Sequence, residues 1–187
     1  YPALSNNAKD LFVTIGHFYL FRHEHPEAWK LRANALKTCL AVSGAYPVFA
    51  YELFNEVGFT DYGASALAAF RAQVMAQHQT IEAANKAWGT AFKSFAEVEP
   101  PRKGNGGDAS FTVLGKNVSQ PLWLEWLKFS EKHSAEAFQK SAALVNAYDP
   151  NAYTTIQTHC QYFYDYGAHG VNPMLKSQSE DFYGDES

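Results

Sequence analysis

Apolar and polar positions alternate between two periods along this chain. Residues 11–16, LFVTIG, form a short apolar run with β-branched members that stops at Gly16. That pattern predicts a buried strand. An aromatic and histidine-rich loop, HFYLFRHEHP, follows. From Glu27 to about Ser43 the spacing turns helical, with Trp29, Ala33, Leu36 and Leu40 three or four apart. Pro26 suits the approach to a first turn and Gly44 suits the stop. Residues 47–56, PVFAYELFNE, are almost continuously apolar until a polar Asn55-Glu56 end. A strand covered on both faces reads this way.

Gly58 to Gly63 reads as a loop and Ala64 to His78 as a helix. Thr80 is placed to cap a further helix that runs to Trp88 and stops at Gly89. Residues 93–119 carry little periodicity. Within them PPRKGNGGDAS is rich in Pro, Gly and charge, so an exposed excursion is expected near residues 100–120. A long helix is expected from about Pro121 to Tyr148, anchored by Trp123, Trp126, Leu127, Phe138 and Leu144. Residues 153–159, YTTIQTH, predict a third strand. Gly170 to Leu175 is the expected start of a fourth, ahead of a polar tail. Strand, helix, strand is the crossover unit of a parallel sheet. The order fits either half a barrel or an open wound sheet. A closed eight-stranded barrel needs about 250 residues, so the 187 present are read as one partial domain, 1–187.

Composition removes several classes. With 47% apolar residues the chain can bury a core. A net charge of −4 without a basic stripe argues against nucleic acid. No run approaches 18 apolar residues, so no membrane span is expected. Cys39 and Cys160 lack metal-site spacing. The compartment stays open between cytoplasmic and secreted.

Chemistry is expected where strands end. In parallel α/β folds the reactive groups gather at the C-terminal ends of strands. Asn55 and Glu56 end the second strand. Burial beside an apolar run would raise the pKa of Glu56 towards the range of a general acid. Asn55 would bond a substrate hydroxyl. A helix cap beside a solvated carboxylate fits the same two residues. Glu52 shares strand parity with Glu56 and is read as an ion-pair partner. His17 and Tyr19 follow the first strand, Gln157 and His159 end the third, and Asp181 and Tyr183 follow the fourth. All six are candidate substrate contacts or ordinary polar residues near loops. The histidines 17, 23 and 25 fit no zinc template, so no metal and no cofactor is expected.

Residues 51–101 resemble the catalytic barrel of the beta-galactosidases of glycoside hydrolase family 42. The match rests on YELFNEVG, on TIEAANKAWGTAF followed by EVEPP, and on the AFRAQVMAQH between them. More weakly, DPNAYTTIQTH looks like the family's fifth strand, and Asp181-Phe182-Tyr183-Gly184 like the exit of its sixth. The resemblance implies an α/β fold, a TIM (beta/alpha)8 barrel fragment covering roughly strands three to six. It implies hydrolysis of O-glycosidic bonds, of terminal beta-galactosides or related oligosaccharides, by a retaining mechanism. Glu56 is then the general acid/base and Asn55 a contact beside the cleaved bond. The family's nucleophile follows strand seven, which this chain does not reach, and neither Glu180 nor Glu186 sits in its context. The family's zinc-binding cysteines have no counterpart. A half barrel exposes sheet edges, so the partner expected besides carbohydrate is the remainder of the barrel or a homo-oligomer. A non-catalytic carbohydrate-binding or structural module derived from such a barrel is the competing reading.

Overall fold

The computed structural model describes residues 11–14, 27–55, 62–101, 119–159, 173–182 and 184–186. The elements are β1 (Leu11–Thr14), α1 (Ala28–Ser43), β2 (Val48–Asn55), α2 (Ala64–His78), α3 (Ile81–Trp88), α4 (Gln120–Tyr148), β3 (Tyr153–His159), α5 (Pro173–Lys176) and β4 (Gly184–Glu186). Two 3-10 turns, Phe95–Glu97 and Ser177–Ser179, add to these. The sheet order is β1-β2-β3-β4 and every pairing is parallel. Helices connect the strands, as parallel pairing requires.

One core lies between the sheet and the helices. Tyr51, Leu53, Phe54 and Ile156 pack with Leu40 of α1 and with Phe138, Ala142 and Val145 of α4. The rings of Phe54 and Phe138 lie 5.1 Å apart. A second core joins Phe70 and Val74 of α2, Trp88 of α3, and Trp126 and Phe129 of α4. The long helix α4 therefore serves both. Its first half faces α2 and α3, and its second half faces the strands. Ser119 starts it by accepting from Leu122 N at 3.3 Å, while its hydroxyl donates to the Trp88 carbonyl at 2.6 Å. That pair of bonds ties the start of α4 to the end of α3.

Local chemistry explains the short elements. Thr80 Oγ1 accepts from Ala83 N at 3.2 Å and so caps α3. Gly89 ends it at φ +67°, a conformation that costs a side chain steric strain. Asn85 then organises the next turn. Its amide donates to Phe92 O, and its carbonyl accepts from Phe92 N and from the Thr90 hydroxyl. This segment continues into a buried Val98, whose carbonyl accepts from Arg71 Nε at 2.8 Å.

Val98 and Pro100 are buried, while Lys93, Ala96, Glu97 and Glu99 between and beside them are exposed. Residues 102–118 lie outside the described residues. Two expectations about the fourth strand need correction. Of the expected strand start at Gly170–Leu175, the described residues 173–175 form no strand. Pro173 opens a helical turn instead, for which its fixed φ is suited. The fourth strand is Gly184–Glu186, inside the stretch read as a polar tail.

Register against β3 skips one residue in β2, between Glu52 and Phe54. Before the skip Ala50 pairs with Tyr153 and Glu52 with Thr155. After it Phe54 pairs with Ile156 and Asn55 with Gln157. Strict alternation would place Asn55 opposite Glu52. The extra residue puts both on the face that points away from α1 and α4, and keeps Leu53 and Phe54 together in the core.

Candidate active site

The C-terminal ends of β2 and β3 form the candidate site. Asn55 is the last residue of β2 and is in register with Gln157. Both are half-buried. The Asn55 Oδ1 atom is buried and accepts no hydrogen bond. A buried acceptor left in that state costs about 1–3 kcal/mol, and a donor arriving from a ligand would remove the cost. Glu56 is the next residue in the chain. Glu56, His17, Tyr19 and Tyr183 lie outside the described residues. His159 is the last residue of β3 and its backbone is in register with Glu186, while Thr158 is in register with Asp185. The residues that β4 brings into register at this end are thus Asp185 and Glu186.

Asp181 is not at that end. Its Oδ2 accepts from Thr154 N at 2.7 Å and from the Thr154 hydroxyl at 3.0 Å, and its own N–H donates to Thr154 O at 2.8 Å. Thr154 is the second residue of β3, so Asp181 belongs to the N-terminal end of the sheet. The expectation that it follows the fourth strand is corrected: it precedes β4. Its carboxylate is spent on the backbone and the hydroxyl of Thr154.

Glu180 is spent in the same way. Its Oε2 accepts from Ile156 N at 3.0 Å, and its Oε1 lies 3.5 Å from Lys176 Nζ. Lys176 is fully buried and donates to the Ile156 carbonyl. The lysine and the glutamate together satisfy both backbone groups of Ile156, as a neighbouring strand would. Burial pushes the Glu180 carboxyl above its ordinary value, against the opposing pull of Lys176 and the Ile156 N–H. Sequence reading left Glu180 without a role, and this is its role.

Behind β2 sits Arg32 of α1, which sequence reading missed. Its guanidinium donates through Nη2 to the carbonyl of Leu53, at the register skip. Its Cζ lies 4.2 Å from the centre of the Phe54 ring. Burial lowers its pKa to about 10, the thiol of Cys39 opposing this. Nothing in a helical spacing separates this arginine from a surface one. Glu52 is also buried, at 4% exposure. No cluster of three or more His, Cys, Asp or Glu able to hold a metal ion occurs among the described residues.

Comparison with known proteins gives this geometry its context. The model of the Glyco_hydro_42 family, described as beta-galactosidase, matches residues 22–187. A beta-galactosidase of Thermus thermophilus is 30% identical over 166 residues, which are 83% of this chain and 24% of that protein. Beta-galactosidase BbgII of Bifidobacterium bifidum is 35% identical over 106 residues, 50% of this chain and 15% of that one. This chain therefore spans a quarter or less of the length of these curated relatives. Among solved structures, the cold-adapted beta-galactosidase from Rahnella sp. R3 superposes with a TM-score of 0.68 at 18% identity, covering 88% of this chain and 23% of that one. The exo-carrageenase from Bacteroides ovatus superposes at 0.62 and 19% identity, covering 87% and 23%. The resemblance read from YELFNEVG and AWGTAF is borne out: the chain belongs to the Glyco_hydro_42 family, and its four parallel strands are a section of that family's (β/α)8 barrel.

Proposed function

We propose that this chain carries the acid/base side of a retaining glycoside hydrolase that cleaves terminal beta-galactosides or related oligosaccharides. Glu56 protonates the glycosidic oxygen while a nucleophile carboxylate, supplied by the rest of the barrel, attacks the anomeric carbon. Glu56 then takes a proton from the water that releases the sugar. Asn55 donates or accepts at a hydroxyl beside the cleaved bond, and Gln157 and His159 line the same mouth from β3. His17, Tyr19 and Tyr183 are further contacts in this reading. The observation that supports it is the end of β2, where Asn55 presents a buried, unengaged Oδ1 one residue before Glu56. Carbohydrate hydroxyls supply the donor that this acceptor lacks.

Glu56→Gln in the full-length enzyme tests the assignment. General acid catalysis contributes about 10²–10⁴-fold. In kcat/KM, which reports the glycosylation step, the variant should lose that much on an oligosaccharide or nitrophenyl galactoside, and far less on a dinitrophenyl galactoside, whose leaving group needs no proton. Added azide should restore turnover of the glycosyl-enzyme. Equal losses on both substrates would remove Glu56 from the acid/base role. Sugar binding without any hydrolysis by the wild-type enzyme would favour a non-catalytic binding module.

A further inference from the structure

We propose that Arg32 is a positioning residue for the Asn55-Glu56 pair, an inference that rests on the acid/base reading of Glu56. Against β3 the register of β2 is regular from Ala50 to Glu52, where its pairing with β1 ends. Leu53 is the residue inserted against β3. A bulge leaves the local ladder disrupted and redirects the residues after it. Its carbonyl therefore needs a donor from elsewhere, and Arg32 supplies one. The same guanidinium lies over the ring of the following residue, Phe54. Two consecutive residues are thus held, one by its carbonyl and one by its ring, immediately before Asn55.

Only a planar, forked cation makes both contacts at once. A lysine ammonium is a point donor and would keep one of them. An apolar side chain of similar volume could also pack against Phe54. What an apolar residue cannot do is fix the orientation of the Leu53 peptide. That orientation sets the face on which Asn55 emerges, and Glu56 follows directly. A displacement of about 1 Å at a reacting group costs about 10²-fold in rate.

The test compares Arg32→Met and Arg32→Lys with wild type and Glu56→Gln in the full-length enzyme, on nitrophenyl and dinitrophenyl galactosides. Arg32→Met should lower kcat on the nitrophenyl substrate by about 10–100-fold, with KM changed less than about threefold. Its kcat/KM on the dinitrophenyl substrate should fall less than about threefold, because misplaced proton donation matters little in that glycosylation step. Arg32→Lys should recover part of the loss. A folded Arg32→Met with wild-type rates, or with equal losses on both substrates, overturns the proposal. If Arg32→Met does not fold, a wild-type leaving-group ratio in Arg32→Lys overturns it instead. Leaving-group sensitivity in Glu56→Gln without any in the Arg32 variants refutes this proposal alone. Its absence in Glu56→Gln refutes the parent reading and this proposal with it.

Discussion

Replacing Lys176 by Met isolates the side-chain clamp on the edge of β3. Lys176 is fully buried, and the Glu180 side chain is 2% exposed, with 3.5 Å between the charged atoms. At an effective dielectric of about 20, the attraction over that distance is about 5 kcal/mol. Met fills similar volume but leaves Glu180 buried beside no cation, and it removes the donor to the Ile156 carbonyl. Breaking one side of a buried pair costs about 3–5 kcal/mol. The pH dependence follows from the carboxyl. Its folded value already lies above the ordinary 4.5 because of burial, and Lys176 is what holds it down. Losing the lysine raises it further. A carboxyl raised on folding keeps its proton where the unfolded chain has lost it, so stability falls as pH rises through that window. The loss in Lys176→Met should therefore be small near pH 4 and full near pH 7. Denaturant unfolding at the two pH values, with amide exchange over residues 153–159, measures it. The double variant Lys176→Met/Glu180→Gln should regain more than half. A loss below about 1 kcal/mol at pH 7, or the same loss at both pH values, would refute the reasoning.

Other outcomes follow from single contacts. Phe138→Ala empties the place where α4 meets Phe54 and should cost about 3–5 kcal/mol in denaturant unfolding. Asn55→Ala should leave unfolding within about 1 kcal/mol of wild type, because Oδ1 has no hydrogen bond to lose. The same variant should lower kcat/KM of the full-length enzyme by about tenfold or more. Asn85→Ala removes three hydrogen bonds from the turn after α3 and should cost about 2–3 kcal/mol, read as a lower thermal midpoint.

The helices were legible because their ends carry chemistry that acts locally. Thr80 and Gly89 bracket α3 by a cap and a left-handed stop, and both can be read without knowing what the helix packs against. Ala64–His78 was found to the residue. The skip in β2 was hidden for the opposite reason. Residues 50–54 are all buried, so the strand carries no alternation from which a one-residue slip could be seen. β4 was hidden because its short stretch, Gly-Asp-Glu, has a polar composition and no strand periodicity. Lys176 and Glu180 are four apart on a polar stretch, the spacing of an ordinary solvated pair. Their burial comes from tertiary packing against β3, which no local pattern encodes. Arg32 was missed on the same ground: its partners, Leu53 and Phe54, lie over twenty residues away in the chain.

The two ends of the sheet separate polar residues by what remains available to them. Toward the N-terminal end and along the edge of β3, Asp181 and Glu180 look from composition like site residues. Every hydrogen bond described for them closes onto backbone, onto the Thr154 hydroxyl or onto Lys176. Moving either to bind a substrate would expose unpaired backbone groups and cost more than a ligand contact returns. At the C-terminal end Asn55 has the reverse character. The protein holds its backbone through Arg32 on Leu53 and leaves its Oδ1 unsatisfied. A fold selected for stability alone would have filled that acceptor or replaced it with an apolar side chain. Rigid support from behind and an open valence in front are the two properties that a preorganised site needs. Among the candidates from the sequence whose side-chain contacts are described, Asn55 has both. In the proposed reading the acid/base, Glu56, is the residue that follows it.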